Sequence, residues 1–174
     1  MNAALFAYGS LMFAPVLRLH SPRALATEPA TLAGYGRRAL RGAGYPGIVP
    51  APGESVAGLL VRGLSPALLA RLDRWEGAEY VRIPVRVALA SGAAAPAYTY
   101  LLTPRARVRA LPHDFDPEAF ARAGLARWLH EARHRSALRA AREGPARSLF
   151  ARSPYERLVI SSARSAASRA SRSR

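Results

Sequence analysis

The spacing of apolar residues changes character near residue 103. Before that point they alternate in short runs broken by glycine and proline; after it they recur at three- and four-residue spacing. Ala4–Ala7 is a short apolar run followed by Tyr8-Gly9-Ser10, the pattern of a buried strand breaking into a turn. Leu11, Met12, Val16, Leu17 and Leu19 suit a short helix after Pro15. Ala30–Arg38 and Arg41–Pro50 read as two irregular strands joined by glycines, with Tyr45-Pro46-Gly47 setting a turn or edge geometry. Ser55–Arg62 is a further strand, leading into a helix that Ser65 and Pro66 start and Gly77 stops. Leu68, Leu69, Leu72 and Trp75 supply its apolar face. Beyond Gly77, Val81, Ile83, Val85, Val87 and Leu89 alternate with Tyr80, Arg82, Pro84 and Arg86, a strand in which Pro84 requires an edge or a bulge. Ser91–Pro96 is a hairpin loop returning into Ala97–Thr103, where Tyr98, Tyr100 and Leu102 share a face.

The helical period takes over after a Pro/Arg-rich connector, Pro104–Phe115. Asp116-Pro117 opens a helix that runs to about Glu143, with Phe120, Leu125, Trp128, Leu129 and Leu138 along one side and Gly144-Pro145 as its stop. Arg147–Ile160 is one more short helix or an ordered cover. From Ser161 the chain reads SSARSAASRASRSR, with no apolar residue larger than alanine, and is expected to be a disordered basic tail. The division is therefore one domain over residues 1–160 and a tail over 161–174.

Composition removes several function classes. The chain has no cysteine, which excludes disulfides, thiolate nucleophiles and thiolate metal sites. No apolar run reaches membrane-spanning length, and the N-terminus lacks a basic stretch followed by a long apolar segment, so neither a membrane partner nor a signal peptide is expected and the reading is cytoplasmic. The net charge is +15, and all 26 basic residues are arginine. The missing lysine, beside abundant alanine, glycine and proline, resembles GC-rich codon usage more than a recognition code. Non-specific attraction to polyanions follows, but no specific nucleic-acid partner is expected. Oligomeric state is not legible.

Two places carry candidate chemistry. Glu76 ends the Ser65 helix, where unpaired carbonyls are partly negative, and stands next to Trp75. Both influences, with burial, would raise its pKa toward that of a general acid/base; the alternative is a surface glutamate at a frayed helix end. The Tyr8–Leu11 turn could leave backbone amides free for an anionic group, or be an ordinary turn. His130-Glu131-Ala132-Arg133-His134 matches the zinc-protease pattern, with Glu156 as a conceivable third ligand. Arg133 between the ligating positions and the arginine-rich flanks argue instead for a solvated helix face, and no metal site is expected. A nucleophile elbow, a P-loop and a dinucleotide fingerprint are all absent.

Tyr8-Gly9-Ser10-Leu11, Tyr45-Pro46-Gly47, Gly58-Leu59-Leu60 and Leu72-Asp73-Arg74-Trp75-Glu76-Gly77 followed by Tyr80-Val81-Arg82 occur in an order and separation that resemble the gamma-glutamylcyclotransferase-like family, which includes the AIG2-like proteins. The resemblance covers roughly residues 4–103. It implies an α+β fold, a small mixed β-barrel flanked by helices, with the C-terminal helix and tail outside its motifs. It also implies a cofactor-independent, metal-free reaction in which a small γ-glutamyl amine or amino acid is cyclised to 5-oxoproline and the amine released. On the same basis Glu76 is the catalytic acid/base. Tyr8, Gly9, Ser10 and Leu11 hold the glutamyl moiety, Tyr80 lines the pocket, and Tyr100 matches a pocket tyrosine. Glu79 could be mistaken for the base, but the family spacing favours Glu76. The competing classes are a non-catalytic small-molecule-binding member of the same fold and an arginine-rich polyanion binder.

Overall fold

A computed structural model describes residues 3–143, with side chains through His134. The chain forms two compact units, Met1–Arg133 and His134–Arg174, the second described only over its first helical residues. The expected segment Arg147–Ile160 and the basic tail from Ser161 lie outside the described residues.

Five strands close into a mixed barrel in the order β1-β3-β2-β4-β5. They are β1 (Ala3–Ala7), β2 (Thr27–Ala39), β3 (Pro46–Leu64), β4 (Tyr80–Leu89) and β5 (Ala94–Leu102). All neighbouring pairs are antiparallel except β1 and β5, whose parallel pairing at Leu5↔Tyr98 closes the ring. Alternation along β1 sends Phe6 to the barrel interior, where it meets Leu32, Ile48, Val56, Leu60 and Val87. Leu5 and Ala7 point outward into a second apolar layer with Val16, Val61, Leu64, Leu72, Phe120 and Trp128. The molecule thus has a core inside the barrel and another beneath its helices.

The expected strands Arg41–Pro50 and Ser55–Arg62 prove to be parts of one 19-residue strand, β3, and residues 41–45 form the turn before it. Pairing explains the merger. Tyr35 faces Pro50 and Ala33 faces Ser55, so Ala51–Glu54 swell opposite a single residue of β2 without breaking the ladder. The hairpin loop is also tighter than Ser91–Pro96, since pairing runs on to Ala88↔Ala94. Pro84 lies where β4 has β5 on one side only, because β2 joins β4 just at Leu89 and Ala88.

Helix α1 (Ala14–His20) has Pro15 in its first turn. Helix α2 (Pro66–Glu76) begins as expected: the Ser65 side chain accepts the Leu68 amide at 3.2 Å. It ends at Gly77, whose φ of 70° lies in the left-handed region that favours glycine. Asp116 caps the third helical stretch by accepting the Glu118 and Ala119 amides at 2.8 and 2.9 Å. That stretch is less regular than expected. A short turn α3 (Pro117–Ala119) widens into a π-helical segment at Phe120–Gly124 before α4 (Leu125–Glu143). An aromatic chain ties the helices together: His20 to Trp75, Trp75 to Trp128, Trp128 to Phe120, and Phe120 to Phe13, with ring centroids 4.7 to 6.3 Å apart.

Candidate active site

The end of α2 brings together residues that lie far apart in the chain. Glu76 is the last residue of the helix, and Trp75 beside it is held between His20 and Trp128. Glu76 keeps some solvent exposure as a residue, yet its carboxyl is desolvated by its surroundings. Burial first, and the neighbouring charge of Asp73 second, raise its pKa to about 8. Among the described residues none donates a hydrogen bond to it.

Three tyrosines surround this carboxyl electrostatically. Tyr8 follows β1 into the barrel, Tyr80 opens β4, and Tyr100 sits on β5 under α2. Burial is the largest cause raising the pKa of each; the charge of Glu76 adds to all three, behind Tyr8 for Tyr80 and behind Asp73 for Tyr100. They remain neutral phenols, and each hydroxyl proton is already committed. Tyr8 donates to the Tyr100 carbonyl at 2.6 Å, Tyr80 to the Pro46 carbonyl at 2.8 Å, and Tyr100 to Asp73 Oδ1 at 2.9 Å. What these oxygens retain is lone pairs, so a cationic donor such as an ammonium group suits them.

The Tyr8–Leu11 turn is built as tightly as its glycine implies. Gly9 precedes a single 3-10 turn, Ser10–Met12, in which the Met12 and Phe13 amides bond back to the Gly9 and Ser10 carbonyls. The first amides of such a turn have no partner within it. A Cβ on Gly9 would stand 2.7 Å from Pro46 Cγ, so Tyr8-Gly9-Ser10 and Tyr45-Pro46-Gly47 are parts of one packed corner. Arg37 steadies that corner from β2: it donates to the Tyr8 carbonyl at 3.2 Å and grips both Asp114 oxygens at 2.8 and 3.1 Å.

Glu79 has a different setting. Its carboxylate pairs with Arg109 and accepts the Tyr45 hydroxyl at 3.1 Å. Its carbonyl accepts the Thr103 amide at 2.9 Å. Glu79 is an anchor joining the loop before β3, the turn before β4 and the connector after β5. Sequence reasoning missed Asp73, Arg37, Tyr45 and Arg109 as participants. Asp73 and Tyr45 each lay inside a motif the sequence displayed, and Asp73 falls one turn before Glu76 on the same helix. On α4, Glu131 is half exposed and stands 3.9 Å from Arg127, and no group of three metal-ligating side chains occurs among the described residues. No helix of the described residues is long and apolar enough to cross a membrane.

Comparison with known proteins agrees with this architecture. The family model for gamma-glutamyl cyclotransferase, AIG2-like, matches residues 5–118. AIG2-like protein D of Arabidopsis thaliana is 40% identical over 86 residues, 49% of this chain and 57% of that protein. The chain spans about half the length of the curated relatives it matches. A gamma-glutamyl cyclotransferase of known structure is similar over 59% of this chain and 68% of its own, with 26% identity and a TM-score of 0.52. A solution structure from Arabidopsis thaliana covers 79% of this chain and 88% of its own, with 28% identity and a TM-score of 0.57. With most of the barrel and its motifs inside the matched stretch, the chain belongs to the gamma-glutamyl cyclotransferase, AIG2-like family.

Proposed function

We propose that the protein cyclises the glutamyl part of a small γ-glutamyl amine or amino acid to 5-oxoproline and releases the amine, with Glu76 as the acid/base. The observation that carries this reading is an enclosed carboxyl without a hydrogen-bond donor, its pKa raised to about 8 by burial and by Asp73. The α-ammonium of a γ-glutamyl compound sits beside its own free carboxylate and titrates above the roughly 8 of a peptide N-terminus, so a carboxyl with a raised pKa takes its proton far more readily than an ordinary one.

Glu76 accepts a proton from the substrate ammonium. The freed amine attacks the γ-carbonyl carbon, forming the ring C–N bond, and the bond to the leaving nitrogen breaks as Glu76 returns the proton to it. The second proton lost from the ring nitrogen matches the one the released amine takes up from water. Because both reacting groups belong to one molecule, folding the substrate into its near-attack shape supplies much of the acceleration. The phenol oxygens of Tyr8, Tyr80 and Tyr100 suit the ammonium, and the leading amides of the Gly9–Leu11 turn suit the carboxylate or the developing oxyanion.

The test is 5-oxoproline release from a panel of γ-glutamyl amines between pH 6 and 9, wild type against Glu76→Gln. The expected result is release by the wild type alone, with kcat/KM rising with pH to a limb near 8. Equal release by a folded Glu76→Gln protein would remove Glu76 from the chemistry. Silence from both, with ligand-induced stabilisation, would leave a binding protein.

A further inference from the structure

Glu76 is one of two carboxyl groups on the same side of the last turn of α2. Asp73 precedes it by three residues, a spacing that places the side chains next to one another. Asp73 is pinned from two strands: Tyr100 of β5 donates to Oδ1 at 2.9 Å, and Arg82 Nε of β4 lies 3.1 Å from the same oxygen. Arg82 is itself fixed, its guanidinium carbon 4.8 Å above the Tyr98 ring. Glu76 has neither kind of restraint.

We propose that Asp73 and Arg82 are positioning residues acting through Glu76: the fixed Asp73 charge favours the protonated carboxyl, and the Arg82 guanidinium on Asp73 limits that effect. The pair would set the pH at which the acid/base becomes available, without touching the substrate. The other groups around Glu76 are neutral phenols, namely Tyr8 after β1, Tyr80 from β4 and Tyr100 from β5. Glu79 is balanced by Arg109 in the next turn, and His20 faces Glu76's neighbour Trp75 with Arg71 as its nearest charge. Asp73 is therefore the charge that acts on Glu76, and Arg82 reaches Glu76 through its ion pair with Asp73.

The inference rests on Glu76 being the acid/base only for its catalytic meaning, and the experiment separates the two. Carbon-detected NMR titration of the side-chain carboxyls follows Glu76, assigned by its loss in Glu76→Gln, in wild type, Asp73→Asn and Arg82→Gln. Asparagine still accepts from Tyr100, and circular dichroism confirms that each variant is folded. The Glu76 midpoint should fall by about one pH unit in Asp73→Asn and move upward in Arg82→Gln. The low-pH limb of kcat/KM should follow in the same two directions, which a loss of stability cannot produce. An unmoved midpoint in Asp73→Asn, or displacement of both variants in one direction, overturns the proposal. If the midpoints separate as stated while the wild type releases no 5-oxoproline from any substrate, the cyclotransferase reading falls and the charge pair stands.

Discussion

Two carboxyl groups at the junction of α2 and β4 are three residues apart and have opposite surroundings. Glu79 faces Arg109 and the Tyr45 hydroxyl, and its backbone carbonyl is taken by Thr103. Glu76 faces phenols whose protons are already given away, and the charge that acts on it from its own helix is another carboxylate. A polar group with partners on two elements fixes those elements in place. A polar group enclosed without partners has its proton affinity displaced and remains free to exchange that proton with a ligand. Proximity in the chain says nothing about which role a carboxyl takes; the partners decide it.

The largest effect expected from breaking this contrast is at Glu76. Replacing it by glutamine removes the proposed acid/base, and 5-oxoproline release should drop by about 10²–10⁴-fold. The same variant should be the more stable protein at high pH. The unfolded Glu76 carboxyl loses its proton near 4.5 and the folded one near 8, so the folded state binds more protons in between and stability falls as pH rises through that window. Denaturation at pH 5 and pH 9 should show a variant advantage that grows by up to about 4 kcal/mol from pH 5 to pH 9. A parent protein with equal stability at both would mean the carboxyl is better solvated than its setting indicates.

His20 offers the mirror image, a basic group enclosed without a partner. It is buried against Trp75, its Nε2 has no hydrogen bond, and burial, then Arg71, lower its pKa from 6.5 to about 4. Here the unfolded chain takes the proton first, so stability is present above pH 6.5 and is lost as pH falls toward 4. His20→Phe should flatten that acid dependence, worth up to about 3 kcal/mol, in urea titrations at pH 4 and 7. Next in size is the corner at Gly9. The Cβ of Gly9→Ala meets Pro46, so the turn or the Pro46 loop must shift; a loss of about 1–3 kcal/mol is expected, with a raised KM if the turn's amides hold the substrate.

What could be read from the chain and what could not divide along the range of the interactions. Ser65, Pro66 and Gly77 mark the ends of α2 because capping and φ preference act within a turn, and their roles were legible as residues. The position of Glu76 was legible because it is local to the same helix. Its isolation was not, since that depends on Tyr8, Tyr80 and Tyr100, drawn from three strands and already spending their protons elsewhere. The contact of Gly9 with Pro46 spans the whole of β2 and leaves no local mark. Neither does the bulge at Ala51–Glu54, whose Ala-Pro-Gly-Glu sequence reads as a break between strands until pairing with β2 shows the ladder continuing through it. The π-helical widening at Phe120 escaped a periodicity argument for a related reason: Phe120 must reach Phe13, Phe115 and Trp128 at once, and tertiary packing overrides the regular spacing.

The smallest expected effect is the one that tests the contrast most directly. Glu79→Gln keeps the shape and an acceptor for Tyr45 but removes the charge opposite Arg109. That ion pair is about one-third exposed on both sides, so its loss should cost only about 1 kcal/mol. The turn at Gly77–Glu79 would loosen, since Arg109 also donates to the Arg41 carbonyl at 3.0 Å and the pair links three loops. Activity should fall by less than in any Glu76 variant, and the low-pH limb of kcat/KM should stay where the parent has it. Glu79 and Arg109 form a nearly neutral unit, and the variant leaves Arg109 still bound to the Arg41 carbonyl, a cation that is not among the charges acting on Glu76. A limb that moved as far as in Asp73→Asn would mean that Glu79 also acts on Glu76, and that anchor and acid/base belong to one titrating system.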